Sequence, residues 1–272
     1  MSPDDDLELI RAAALEAGVL AMGYSERGEV RTWSKAGGSP VTNADIAVDT
    51  LLKQRLLEAR PGYGWLSEET TDDEARLAAR RVFVVDPIDG TIAFMKGRPW
   101  WAVCIAVVED GAPVAGALYA PAVGEMYDAL AGGGARLNGA PVMSSGRAAL
   151  EGSALLADAR TLRRPDWPQP WPEDMRIESR NSVAYRMALV ASGAFDAVVA
   201  LSSKCDWDLA AADLIAREAG AVSTDHLGRP FAYNLPSARK RSLVCAPPVL
   251  HRLILERVGH IDLPSHPGEP HL

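Results

Sequence analysis

Cysteine is scarce in this 272-residue chain: Cys104, Cys205 and Cys245 stand far apart, and no two form a C-x-x-C pair. An odd number of scattered thiols argues against a disulfide framework and for reduced cysteines in the cytoplasm. Bases are outnumbered by acids, 28 to 36, so the chain has little of the positive surface that a phosphate backbone requires. No basic groove interleaved with aromatics can be traced, and a nucleic-acid polymer is not an expected partner. The strongest apolar stretch, Trp100 to Val108, has nine residues, about half of the ~20 that cross a bilayer. The first ten residues, MSPDDDLELI, are acidic where a secretory signal would be basic. No membrane partner is expected. Internal repeats and low-complexity tracts are missing too. The five histidines are scattered late in the chain and read as surface residues.

Apolar spacing supplies the elements. Leu7, Ile10, Ala14, Leu15 and Leu20 predict a helix over 4–22, and Ile46, Val48, Leu51, Leu52, Leu56 and Leu57 predict another over 44–59. The Gly-, Ser- and Lys-containing stretch 24–40 reads as a loop. Residues 82–143 read as consecutive antiparallel strands, with tight turns at Glu109-Asp110-Gly111 and Asn138-Gly139. Beyond Ser145, strands are expected at 154–157, 195–200 and 242–245, and helices at 183–192, 207–219 and 247–258. The four prolines of 163–174 predict an irregular segment. The tail from Ile261 is expected to be loosely attached. Two halves follow, an α+β half over 1–145 and an α/β half over 146–272.

The stretch VFVVDPIDGTIAF (82–94) places Asp86 and Asp89 at the mouth of a buried strand. Pro87 holds Asp86 extended, and Gly90 lets the backbone turn close to a ligand. Two carboxylates near 4 Å repel by roughly 4 kcal/mol at an effective dielectric of 20, a cost that a shared cation or proton offsets. If Gly90 and Thr91 open a helical turn, their N–H groups offer an anion site beside the acids. Hard divalent cations take such oxygen ligands together with water and substrate phosphate. The bland alternative is a turn-capping Asp86 and a solvent-facing Asp89. Glu68 and Glu69 end another apolar stretch, WLSEET (65–70). Asp45 follows Thr42 by three residues, which also fits a variant capping box. Asp206 and Asp208 begin a helix, where acids also serve as dipole partners.

Taken together, these stretches resemble the inositol monophosphatase superfamily of Mg²⁺-dependent, lithium-sensitive phosphatases. The D-P-[IL]-D-G-T motif is matched at Asp86 to Thr91, and W-D through E-A-G at Trp207-Asp208 to Glu218-Ala219-Gly220. The acidic pair is matched at Glu68-Glu69, T-x-x-D at Thr42 to Asp45, and G-x-G-A-x-x-N-G at Gly132 to Gly139. The resemblance spans roughly residues 5 to 260. It implies a five-layer αβαβα sandwich and two or three Mg²⁺ ions. The implied metal ligands are Glu68, Asp86, the Ile88 carbonyl, Asp89 and Asp208. Asp45, Glu68 and Thr91 would act in catalysis, with Thr91 orienting the nucleophilic water. Gly90 and Thr91 amides would hold phosphate. Relatives of this kind are often homodimers. No nucleophile–base pair suggests a phosphoenzyme.

Within the superfamily, PVTNADIA, WLSEE, DGTIAFMKG and GALYAPAVGEMYDA lean toward the 3′(2′),5′-bisphosphate nucleotidase branch. The expected substrate is adenosine 3′,5′-bisphosphate. Lys96, Arg98, Arg180, Arg186 or Lys204 could meet a second phosphate, and Lys96, Arg180, Ser182 and Lys204 stand as candidate substrate contacts. Two features depart from pattern. Leu201 replaces both the Glu of inositol phosphatases and the basic residue of bisphosphate nucleotidases, and Arg180 to Ala184 replaces a Gly-Ser/Thr-Ala run. Inositol-1-phosphate and histidinol phosphate are alternative substrates. A non-catalytic metal- or phosphate-binding relative is the alternative from another class.

Overall fold

The structure, a computed structural model, describes residues 3–35, 38–164 and 166–263. The chain opens with α1 (Pro3–Glu26), a short hairpin of β1 (Thr32–Ser34) and β2 (Pro40–Thr42), and α2 (Asn43–Ala59). Next come β3 (Gly64–Ser67), a 3₁₀ turn, β4 (Arg81–Asp89), α3 (Thr91–Met95), β5 (Ala102–Glu109) and β6 (Ala112–Ala120). After a further 3₁₀ turn, β7 (Glu125–Leu130), β8 (Gly134–Leu137) and β9 (Ala140–Val142) complete a seven-stranded sheet running β3 to β9 in order. The 24–40 stretch is therefore not all loop: α1 continues four residues past Met22, and β1 and β2 pair within it and just beyond. β4 to β9 are antiparallel, β5–β6 and β8–β9 through the two tight turns, while β3 joins β4 in parallel. Asp110 and Gly111, and likewise Asn138 and Gly139, all have positive φ, the backbone of a tight two-residue hairpin.

The rest comprises β10 (Ala154–Ala157), α4 (Ala159–Leu162), β11 (Arg176–Glu178), α5 (Val183–Ala191) and β12 (Ala197–Ala200). β13 (Lys204–Cys205), α6 (Asp206–Glu218), β14 (Val222–Thr224), β15 (Arg239–Lys240), β16 (Leu243–Ala246) and α7 (Pro248–Val258) follow. Five of these strands form a second sheet in the order β11-β10-β12-β16-β14. The expected loose tail lies outside the described residues from 264 on.

Three apolar cores separate five layers. α1 and α2 cover one face of the large sheet through Ile10, Leu52, Phe83, Val85 and Ile105. α5 and α6 fill the space between the two sheets with Met187, Leu209, Ala210, Val82, Val84 and Val198. α7 closes the outer face of the smaller sheet through Leu250 and Ile254 against Val199 and Val244. This is the expected αβαβα sandwich. It also explains the unbroken apolar run of β4: alternate side chains enter different cores, so both faces of the strand are buried. The alanines of α6 permit close approach to the sheet. A Cβ on Gly116 of β6 would lie 3.0 Å from the Ala211 carbonyl oxygen.

The histidine expectation is corrected at two positions. His226 is buried, with ring nitrogens 2.8 Å from Ser242 Oγ and 3.0 Å from the Ile261 carbonyl. His251 is buried against Thr224 Oγ1 at 2.9 Å. Single histidines show no apolar periodicity, so their burial cannot be read from the chain. His266 and His271 lie outside the described residues.

Candidate metal centre

The large sheet breaks where its acids cluster. Asp86 pairs with Cys104 and Asp89 with Ala102, so three steps on β4 match two on β5. Such a β-bulge re-aims side chains, and Pro87 within it has no N–H to give the ladder. The parallel pairing of β3 continues to Glu68, whose N–H donates to the Val85 carbonyl at 3.3 Å, bringing Glu68 beside Asp86. α6 crosses behind β4 to β6 and contributes Asp208 from its first turn. One carboxylate oxygen from each of Glu68, Asp86 and Asp208 lies within 4.8 Å of the others.

Backbone contacts aim two of these acids. Asp86 Oδ1 accepts from the Ile88 N–H at 3.1 Å, and Asp208 Oδ2 accepts from the Cys205 N–H at 2.7 Å. Asp86 Oδ2 is buried without a hydrogen-bond partner, an arrangement that calls for an explanation such as an ion. Burial raises the Asp86 pKa, helped by Glu68, Asp89 and Asp208. Asp208 is pushed up to about 7, by burial first and then by Asp89. Converging hard oxygens, one of them orphaned, fit Mg²⁺. Lys35 supplies a positive charge at the rim, its Nζ 2.7 Å from both Glu68 Oε1 and Glu69 Oε1. That contact had no signal in the sequence, because a loop residue has no periodicity to report where it lands.

Asp89 takes a different position. Its Oδ2 accepts from Ser182 Oγ at 2.6 Å and the Ala184 N–H at 2.7 Å, and Oδ1 from the Val183 N–H at 3.3 Å. It thus caps the start of α5 while acting electrostatically on both Asp86 and Asp208. Asp45 closes the capping box and also reaches Thr91. Oδ2 closes a capping box with the Thr42 N–H at 2.8 Å, and Oδ1 accepts from Thr91 Oγ1 at 3.1 Å. Thr91 Oγ1 also reaches the Ile88 carbonyl, at 3.3 Å. Burial raises the Asp45 pKa against its hydrogen bonds. Gly90 has φ 99°, and a Cβ there would come within 2.9 Å of the Trp100 carbonyl oxygen, so glycine is required on both counts.

The remaining candidates separate. Ser182 is buried, with its hydroxyl committed to Asp89 and to the Tyr185 N–H at 3.0 Å. Lys96 is exposed after α3. Arg180 pairs with Glu178 at 2.9 Å and stacks over Trp100 and Phe195. Lys204 lines a cavity that also receives Arg186, Leu201 and Ser202. The E-A-G motif and the glycine turn prove to be one device: Glu218 accepts from the N–H groups of Gly132 at 2.8 Å and Gly134 at 2.9 Å.

Known proteins agree with this architecture. The family model described as inositol monophosphatase family matches residues 4–262. The chain is 35% identical over 234 residues to a histidinol-phosphatase of Chlorobaculum parvum, covering 84% of this chain and 88% of that one. It is 33% identical to an inositol-1-monophosphatase of Mesorhizobium japonicum, over 80% and 85% of the respective chains. The IMPase of Thermotoga maritima superposes with a TM-score of 0.82 at 26% identity, over 94% of this chain and 97% of that one. Fold, acidic cluster and motifs lead to one conclusion: the chain belongs to the inositol monophosphatase family.

Proposed function

We propose that this phosphatase hydrolyses a small phosphate monoester with Mg²⁺ and an activated water, and that its preferred ester is adenosine 3′,5′-bisphosphate, cleaved to AMP and phosphate. The observation that carries the chemistry is the convergence of Glu68, Asp86 and Asp208 within 4.8 Å around an orphaned Asp86 oxygen. Glu68, Asp86, Asp208 and the Ile88 carbonyl would hold the metal, with Asp89 adjoining. An Mg²⁺ ion held by these groups would supply Lewis-acid chemistry, making water more acidic and offsetting phosphoryl charge.

The chain's own groups do the rest. Thr91 Oγ1 takes a proton from the attacking water while giving its own to Asp45 Oδ1, 3.1 Å away. The proton thus ends on a carboxylate whose raised pKa favours accepting it. Gly90 and Thr91 present amides to the phosphate at the start of α3. Asp89 fixes α5 against the bulge and keeps both halves of the site in register.

The bisphosphate reading rests on the local motifs and on the cations near Leu201, where inositol phosphatases carry a carboxylate. Turnover of adenosine 3′,5′-bisphosphate, inositol-1-phosphate and histidinol phosphate with Mg²⁺ tests it. The first should be hydrolysed with the highest kcat/KM. Faster turnover of either other ester would overturn the substrate, and no turnover of any phosphomonoester would favour a non-catalytic relative.

A further inference from the structure

Two cations beside the acidic cluster have no carboxylate in direct salt-bridge contact among the described residues. Arg186 on α5 and Lys204 on β13 line one cavity of about 160 Å³ with Asp158, Thr161 and Leu201, room for about five waters. Among the described residues, neither forms an ion pair within 4.0 Å. Other partly buried cations do: Arg180 pairs with Glu178, and Lys240 with Asp206. Arg186 donates Nε to the Ser182 carbonyl at 3.3 Å. Lys204 donates Nζ to Ser202 Oγ at 2.8 Å and to the carbonyls of Ser202 and Ser203. These acceptors are all neutral. Asp158, the carboxylate on the wall, is turned toward its own helix start, accepting from the Arg160 N–H at 2.9 Å and from Thr161 Oγ1 at 3.2 Å.

Position ties the pair to the reaction. Arg186 lies one helical turn beyond Ser182, which holds Asp89, and Lys204 lies four residues before Asp208. Burial disfavours the charge on both, Arg186 adds to this at Lys204, and Asp89 and Asp208 oppose it at both. When a metal neutralises those acids, two desolvated like charges remain facing one cavity, and an anion there would offset them. Thr161 and Leu201 also line an adjoining hollow of about 510 Å³, with Trp167 and His260 on its wall. The rest of a large alcohol has somewhere to go.

We infer that Arg186 and Lys204 form a second anion subsite, which selects phosphate esters whose alcohol carries another phosphoryl group. The inference deepens the phosphomonoesterase reading and rests on it, but does not require the second phosphate to sit on a nucleoside. A neutral polyol gains nothing from the subsite, and an alcohol bearing an ammonium group is repelled by it.

The test compares kcat/KM for adenosine 3′,5′-bisphosphate and fructose 1,6-bisphosphate with that for p-nitrophenyl phosphate, in the full chain with Mg²⁺. In Arg186→Met and Lys204→Met, the ratio of at least one bisphosphate to p-nitrophenyl phosphate should fall at least 10-fold. The ratio is insensitive to the fraction of protein folded, because both esters report on the same molecules. If fructose 1,6-bisphosphate alone shows the loss, the subsite stands and the nucleotide reading fails. If both variants keep both ratios within 2-fold of wild type, the subsite is refuted while the phosphatase reading survives. Wild type inert toward all three esters would remove the phosphatase reading and the subsite with it.

Discussion

Replacing Asp86 by Asn should stabilise the metal-free protein and make it unresponsive to Mg²⁺. Oxygens of Glu68, Asp86 and Asp208 lie within 4.8 Å of one another. At an effective dielectric of 20, two charges at that distance repel by about 3.5 kcal/mol. Lys35 offsets part of this through Glu68, leaving a gain on the order of 2 kcal/mol when one charge is removed. Asn keeps the shape and can still accept the Ile88 N–H. The sign of the pH dependence follows from the raised pKa values. Asp208, at about 7 in the fold, binds its proton more tightly folded than unfolded. Stability of the metal-free protein therefore falls as pH rises from the ordinary carboxylate range toward about 7. Unfolding entropy near 2.1 cal/mol/K per residue makes 1 kcal/mol worth about 2 °C in a chain this long. In EDTA at pH 8, Asp86→Asn should then melt about 4 °C above wild type. Mg²⁺ at a hundred times its Kd adds about 2.7 kcal/mol, or about 5 °C, to wild type and little to the variant. Thermal melts in EDTA from pH 5 to 8, repeated with Mg²⁺, measure all three effects. A variant that melts lower than wild type in EDTA at pH 8, or that keeps the wild-type Mg²⁺ shift, would refute the electrostatic account of this cluster.

Asp89→Ala should cut turnover by at least ~100-fold, by analogy with the loss of one preorganised electrostatic partner. It should also lower Tm, since Ser182 Oγ and the Ala184 N–H lose their acceptor; wild-type turnover would remove Asp89 from the site. Glu218→Ala breaks two charge-assisted hydrogen bonds to Gly132 and Gly134 and should cost about 1–3 kcal/mol. Its kcat/KM should stay within about 3-fold of wild type, and a stable but inactive variant would mean that the glycine turn has a catalytic role. Lithium at high millimolar concentration should inhibit, as the family resemblance implies, and unchanged rates in a lithium titration would count against that.

Much of the fold was legible because its signals are local. Asp110-Gly111 and Asn138-Gly139 can hardly be anything but tight turns, so the antiparallel pairing of β5 with β6 and of β8 with β9 follows from short connections. The helix of Asn43–Ala59 announces its start in Thr42 and Asp45, which close the capping box observed. The parallel β3–β4 pair was not legible, because a crossover connection leaves no turn signature, yet that pair carries Glu68 to Asp86. Likewise Ser182 reads as a substrate contact from its place in the chain, and only packing turned its hydroxyl onto Asp89.

The order of acids, glycines and apolar runs along the chain was enough to predict most helices and strands and to mark the acidic motifs, and the resemblance carried by those motifs implied the layered fold. Those features depend on residue type and short spacing, which the covalent chain records directly. Tertiary structure alone decided which carboxylates share a cation-sized space, that Asp89 caps α5, and that Arg186 and Lys204 rather than Lys96 or Arg180 share the cavity near the cluster. Electrostatic energy falls with distance through space, and residues 68, 86 and 208 become neighbours only after two sheets and the helices between them have packed.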